Sequence, residues 1–216
     1  MLGSVVVSEY PKSGGTWIGQ MISALADRPY VREGLVPFRP YLIHKHCLPG
    51  VLAGSAPIII LRDGRDILVS YYHHSFFLHD ERTARLTKFT ANKVPLDDAS
   101  AVRENLPRFI EQSFTNPVYP RFSWTEFCAA WKDVPTACTL SYEEARTDPV
   151  AMLTRALEHL DKDVPKARIA EVVEAFSFER MSGRAVGHES EEAVFLRKGI
   201  VGDWRNAFSK GSRRSV

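Results

Sequence analysis

Long apolar runs are missing from this sequence. The best candidates, residues 5–7 and 57–61, are strand-sized and far too short to cross a bilayer. No secretory leader is visible, so the expectation is a protein without a membrane span. Cysteine is scarce: Cys47, Cys128 and Cys138 are an odd number at no metal-like spacing, which reads as reduced thiols in a cytoplasmic protein. An excess of one charge is lacking too. The 28 Lys and Arg against 26 Asp and Glu leave a net +2, which argues against a nucleic-acid binder but allows one local basic pocket for an anion. There is no H-E-x-x-H, and no cysteine cluster or aspartate pair that would supply a metal site, so no metal is expected. Repeats and low-complexity stretches are absent as well. What remains is 216 residues, 44% hydrophobic and 25% charged, enough for one domain over 1–216 with a substantial core.

The apolar pattern alternates between strand and helix. Residues 4–9 (SVVVSE) are β-branched and read as a buried strand that enters a loop at Tyr10-Pro11. From Thr16 onward, Trp17, Ile18, Met21, Ile22 and Leu25 follow helical spacing. Residues 41–45, 57–62 and 136–142 read as three further strands. The stretches 66–77, 149–160 and 165–176 read as helices. Strand alternating with helix implies an α/β fold with a central parallel sheet and a ligand at the C-terminal ends of its strands. Residues 78–121, polar and carrying prolines at 95, 107, 117 and 120, read as a largely helical or irregular excursion over the active site, with a short helical patch over 102–110. Residues 195–209, rich in Gly, Arg and Lys, read as a loop.

Three segments carry chemistry. In YPKSGGTW (residues 10–17) the glycines let backbone N–H groups approach an anion, and the helix start adds its positive end. Lys12 supplies a point charge, and Ser13 and Thr16 supply hydroxyls. The loop lacks the G-x-x-x-x-G-K-[ST] of a Walker A motif. In LRDGRDILVSYY (residues 61–72) Arg62 ends a strand and Ser70 lies eight residues on, about two helical turns later. The two could grip one phosphate, or Arg62 could pair with Asp63 or Asp66 while Ser70 faces solvent. In FLRKGIVGDWRNAF (residues 195–208) the Arg197-Lys198-Gly199 turn suits closure over a phosphate, or a plain basic surface turn.

Taken together and in this order, the three segments resemble the cytosolic-type sulfotransferases, in a short, bacterial-like form. Those enzymes use 3′-phosphoadenosine 5′-phosphosulfate and release adenosine 3′,5′-bisphosphate. The resemblance runs from Val5 to Phe208 and implies a P-loop-like, three-layer α/β/α fold. It also implies that Lys12, Ser13, Gly14, Gly15 and Thr16 surround the 5′-phosphosulfate and that Trp17 stacks on adenine. Arg62 and Ser70 would then bind the 3′-phosphate, with Arg197, Lys198 and Gly199 closing over it. Tyr142 and Phe178 resemble aromatics beside the adenosine. Gly15 departs from a common threonine, Asp63-Gly64 from Asn-Pro, and Phe176 from a small threonine near adenine.

Sulfuryl transfer to a hydroxyl needs a base for the acceptor's proton. Family members carry K-T-H-L-P after the second strand, where this chain reads His44-Lys45-His46-Cys47-Leu48-Pro49. Aligning the strand places His46 on the catalytic histidine, with His44 as runner-up. Aligning back from Leu-Pro places Cys47 there, but a thiol is a poor base for an alcohol. Lys12 would stabilise the charge that develops on the leaving oxygen. His73, His74 and His79 lie where an acceptor could pass. The implied acceptor is the hydroxyl, or alternatively an amine, of a small molecule or sugar. Phe76, Phe77, Phe89 and Phe109 suit an apolar acceptor, and Arg82, Arg85, Lys88 and Arg103 an acidic one. The rival readings are a P-loop nucleotide kinase, which lacks its Walker A ending here, and a non-catalytic adenosine-nucleotide binder, which has no use for His46. The sequence leaves the oligomeric state open.

Overall fold

The computed structural model describes residues 4–32, 39–50, 56–77, 84–188 and 197–208. In chain order the elements are β1 (Val5–Glu9), α1 (Gly15–Ala26), β2 (Tyr30–Val31), β3 (Leu42–Lys45), β4 (Ala56–Leu61), α2 (Gly64–Phe77), α3 (Ala84–Lys93), α4 (Val102–Thr115), α5 (Trp124–Trp131), β5 (Cys138–Ser141), α6 (Tyr142–Thr147), α7 (Pro149–His159), α8 (Lys166–Ala175), α9 (Phe178–Ser182) and α10 (Trp204–Ala207). They divide into two units, residues 1–62 with 127–184 and residues 63–126 with 185–216.

The first unit holds a five-stranded sheet in the order β2-β3-β1-β4-β5, parallel throughout. Val5 and Val7 of β1 and Ile58 and Ile60 of β4 share one core with Ile18 and Ile22 of α1, Leu153 and Leu157 of α7 and Ile169 of α8. Val6 and Ile59, between them on the pleat, are buried as well. Both faces of the central strands are therefore covered, which is why these stretches read as unbroken apolar runs. The chain leaves β1 to build β2 and β3 on one side, then crosses to β4 and β5 on the other. That reversal beside β1 is where an open α/β sheet offers a crevice at its strand ends. The expected α/β, P-loop-like fold with a central parallel sheet is what the first unit contains.

Helix starts in this unit follow their capping chemistry. Ser141 and Glu144 close a reciprocal capping box at the start of α6, and Asp148 caps α7 with Pro149 at its first turn.

In the second unit α2 packs on α3, α4 and α10. Tyr72 and Phe76 of α2 pack against Phe109 of α4, with ring centroids of 5.4 and 6.0 Å. The 78–121 segment is helical over much of its described length. The helix foreseen for 102–110 continues to Thr115 and runs through Pro107. Tertiary packing of Leu106 and Phe109, both buried, outweighs the local cost of the proline. The tail expected as a loop contains the short α10. Residues 78–83, including Arg82, and residues 195 and 196 lie outside the described positions, as does the side chain of Arg85.

Candidate active site

β1 delivers the chain into residues 10–14 at the C-terminal edge of the sheet. Lys12 (φ 76°) and Gly14 (φ 97°) both take left-handed backbone conformations. For a lysine this costs roughly 1–2 kcal/mol, so the surrounding contacts must impose it. One such contact is internal: Ser13 donates both its N–H and its hydroxyl to the Tyr10 carbonyl, at 3.2 and 2.7 Å. α1 then starts on Gly14 without a side-chain cap. A Cβ on Gly14 would sit 2.7 Å from the Tyr142 ring, so the residue must be glycine on both counts. The result is a turn of main-chain donors at a helix start, with Lys12 in it, which is a chemical setting for an anion.

The last residue of β1, Glu9, is 3% exposed, and sequence reasoning gave it no role. Its carboxylate accepts from Nε2–H of His44 at 2.9 Å and from the N–H of Gly15. Its carbonyl accepts from Nδ1 of His46 at 3.0 Å. Because a carbonyl only accepts, His46 must carry a proton on Nδ1, and its neutral ring then has its lone pair on Nε2. Burial opposes the charge on Glu9, but its hydrogen bond to His44 and the neighbouring imidazoles outweigh burial and hold the carboxyl below its usual range. Burial pulls His46 below the usual histidine value, against the opposing pull of Glu9. The donor atoms of Glu9, His44 and His46 lie within 4.8 Å of one another. They are engaged in the hydrogen bonds just given, and we assign no metal to them.

Glu9 also accounts for the departure at Gly15. A Cβ there would lie 2.6 Å from the Glu9 carboxyl carbon, so a threonine has no room while Glu9 occupies that space. The signal for Glu9 was legible in principle: a charged residue at the end of an otherwise apolar strand needs a partner.

Other predicted residues gather around the same loop. Arg62, just past β4, donates to the Lys12 carbonyl at 3.1 Å and lies 4.0 Å over the Tyr142 ring. Tyr142 meets Trp17 edge-on at 6.0 Å. The Trp17 indole donates to the Phe176 carbonyl at 2.7 Å, and this holds the ring against the core. Thr16 lies in the first turn of α1, partly buried. Phe178 is buried, with the Arg184 guanidinium 5.6 Å from its ring. Lys12, Arg62, Tyr142 and Trp17 thus form one contiguous set, and Phe178 lies two residues beyond the carbonyl that anchors Trp17.

In the second unit Ser70 sits partly buried on α2. Arg197 and Lys198 both reach the buried Asp203 carboxylate, the lysine at 3.4 Å, and Gly199 takes a left-handed conformation (φ 66°). Burial opposes ionisation of Asp203, yet Asn206, Arg197 and Lys198 hold it below its usual range. The carboxylate of Asp66 accepts from the N–H groups of Gly202 and Trp204 at 2.6 and 2.9 Å, and this fixes the turn that follows Gly199. Arg65 pairs with Asp63 at 2.7 Å and lies 3.9 Å over Trp204. The departure at Gly64 has a cause here as well, since a Cβ would come within 2.9 Å of the Trp124 ring. Asp66 was read only as a possible partner of Arg62, because its main-chain donors lie 136 and 138 residues on. Asp203 was missed although Arg197, Lys198 and Asn206 stand within six residues of it.

A parallel sheet with a turn of main-chain donors after its central strand, beside one buried and one partly buried histidine, places the site in the class of α/β proteins with a ligand crevice at the strand ends. Comparison narrows the class. The family model of the sulfotransferase domain matches residues 33–216, and the chain belongs to that family. It is accordingly a transferase that moves sulfo groups. Sulfotransferase 1B1 of Mus musculus is 24% identical, with 96% of this chain and 78% of the mouse protein covered. The amine sulfotransferase of Oryctolagus cuniculus is 24% identical over 94% of this chain and 74% of its own length. Among solved structures, mouse sulfotransferase SULT7A1 complexed with PAP has the same fold. Its TM-score is 0.74 at 20% identity, covering 99% of this chain and 81% of that one. No helix among the described residues is long and apolar enough to cross a membrane.

Proposed function

We propose that this chain transfers the sulfuryl group from 3′-phosphoadenosine 5′-phosphosulfate to the hydroxyl of a small-molecule acceptor, with His46 as the base. The observation that carries this reading is the hydrogen bond from Nδ1 of His46 to the Glu9 carbonyl. It leaves the Nε2 lone pair as the site that receives a proton, at the strand ends beside the anion-binding turn. The acceptor oxygen attacks sulfur in line as its proton passes to Nε2. The bond from sulfur to the bridging phosphate oxygen breaks, and adenosine 3′,5′-bisphosphate leaves. The Lys12 ammonium offsets the charge gathering on that bridging oxygen.

The donor assignments follow the resemblance position by position. Lys12, Ser13, Gly14, Gly15 and Thr16 take the phosphosulfate end, and Trp17, Tyr142 and Phe178 the adenosine. Arg62, Ser70, Arg197, Lys198 and Gly199 take the 3′-phosphate. The convergence of Lys12, Arg62, Tyr142 and Trp17 supports the first-unit part of this scheme. The family match over residues 33–216 includes parts of both units, and the mouse relative covers 96% of the chain, which supports reading residues 1–216 as one sulfotransferase domain. Cys47, Cys128 and Cys138 are free thiols, in keeping with a cytoplasmic protein.

The test is His46→Ala. Calorimetry should find adenosine 3′,5′-bisphosphate binding unchanged, while turnover falls by about 10²–10⁴-fold. Turnover would be read by mass gain on a panel of phenols, aliphatic alcohols, sugars and amines. Retained turnover removes the base assignment. If neither the variant nor the parent chain turns over any acceptor while both bind the nucleotide, the non-catalytic reading is favoured.

A further inference from the structure

We propose that Glu9 is the positioning residue of this site: through three acceptor contacts it locks His44, His46 and the start of α1 into one unit. The inference rests on the reading of His46 as the base. A carboxylate at 3% exposure at the end of the central strand is costly to bury unless its charge is used. Here every oxygen of Glu9 is used, and on a different element. Oε1 takes His44 on β3, Oε2 takes the Gly15 N–H at the head of α1, and the carbonyl takes His46 beyond β3.

Two consequences follow for the chemistry. The carbonyl contact fixes which nitrogen of His46 receives the acceptor's proton. The carboxylate then faces the imidazolium that forms as the proton arrives and stabilises it, the role an acid plays behind a catalytic histidine. Among the described residues, the charged and titratable groups acting on His46 include Glu9 on β1, His44 on β3 and Arg32 after β2. Among these only Glu9 favours the protonated ring, and it does so against burial. His44 is held by the same carboxylate and stacks on Tyr30 at 6.1 Å, which braces the unit from the β2 side.

A steric match completes the lock. Gly15 has room for no Cβ because the Glu9 carboxyl stands 2.6 Å from where one would be. The carboxylate and the glycine are a pair, and neither is free to change alone.

The measurement is an NMR titration of the His46 ring protons, assigned by their loss in His46→Asn, in the full chain and in Glu9→Gln. Removing one close negative charge should lower the His46 midpoint by about one pH unit. The acid limb of turnover should move down by the same amount while the limiting rate falls. Binding of adenosine 3′,5′-bisphosphate should be unchanged within about 2-fold, equivalent to about 0.4 kcal/mol. An unmoved midpoint overturns the proposal, because a merely structural residue would not shift it. If Glu9→Gln does not fold, Glu9→Thr with Gly15→Thr removes the same charge while matching the two volumes, and it should show the same shift. The two readings fail separately. A His46→Ala enzyme that still turns over removes the base and leaves the titration result standing. A dead His46→Ala with an unmoved midpoint in Glu9→Gln removes only the role of Glu9.

Discussion

Among the described residues, each unit of this protein buries one carboxylate that accepts from a glycine N–H, and the two are held in different ways. Asp66 in the second unit accepts from the main-chain N–H groups of Gly202 and Trp204. Those donors cannot change their proton count or turn round. Glu9 in the first unit accepts from one main-chain N–H, at Gly15, and from one imidazole, at His44. An imidazole can present either a proton or a lone pair. A carboxylate that accepts from two main-chain N–H groups is an anchor for a turn, whereas one that accepts from an imidazole is joined to a group that can change its proton count. The surroundings agree, since Asp66 fixes the turn after Gly199 and Glu9 stands beside the proposed base.

The sharpest way to break this contrast is to make both acids into amides. Asp66→Asn keeps one acceptor but turns an NH₂ toward a main-chain donor that has nowhere else to go. Leaving that buried N–H unsatisfied should cost about 1–3 kcal/mol, seen as a lower urea midpoint at unchanged m-value. In Glu9→Gln the amide oxygen can still accept from Gly15 while its NH₂ donates to a His44 ring that shifts its proton to Nδ1. That change should cost less than Asp66→Asn in the same experiment. Equal or reversed costs would mean that the two acids are held alike.

A smaller effect separates the two glycines. Gly202 has φ 82°, so Gly202→Ala places a side chain in the left-handed region at a cost of roughly 1–2 kcal/mol. Gly15 carries no such backbone demand, and its constraint is the Glu9 carboxyl. Gly15→Ala should therefore cost less in a Glu9→Thr background than in the parent, a coupling of about 0.5–3 kcal/mol. No change at Asp66 should relieve Gly202→Ala. Thermal or chemical denaturation of the four first-unit proteins and their second-unit counterparts decides it. Additive costs at Gly15 and Glu9 would end the idea of a matched pair.

The same contrast explains what could be read from the sequence. Strands such as residues 5–9 and 57–61 were legible because burial on both faces leaves an apolar run, and α1, α7 and α8 because their buried residues recur at helical spacing. The Tyr10–Trp17 loop was legible as a motif whose residues are contiguous. β2 was not, because two residues carry no periodicity, and α10 was not, because one helical turn in a Gly- and Arg-rich tail has no pattern to show. The helix over Val102–Thr115 was foreseen only to Ile110, because the residues that complete it, EQSFT, are mostly polar and show no apolar spacing. Glu9 and Asp66 escaped for one reason. Their partners lie 35 and 136 residues away, a pairing that only the folded chain supplies. The departures at Gly15 and Gly64 were visible in the sequence, but their causes, the Glu9 carboxyl and the Trp124 ring, were not.

The smallest expected effect is a pH dependence confined to the first cluster. His46 lies below the usual histidine range in the folded chain, so between its folded value and about 6.5 the unfolded chain binds the extra proton. Stability should then rise with pH through that window and fall on acidification from neutrality, by at most about 1.4 kcal/mol per pH unit. Glu9 acts in the same direction at lower pH: its depressed carboxyl contributes above about 4.5, and that contribution is lost as pH falls through its folded value. Asp66 accepts from main-chain groups, and the partners of Asp203 include Arg197 and Lys198, none of which changes charge near neutrality. Melting temperatures at pH 7.5, 6.5 and 5.5 for the parent chain and for His46→Gln isolate the difference. The parent should lose more than the variant between 7.5 and 5.5, because the variant has no ring to protonate on unfolding. Asp66→Asn should leave that slope as it is in the parent. A slope that survives His46→Gln unchanged would place the neutral-range titration at other histidines and dissolve the distinction between the titrating carboxylate and the anchoring one.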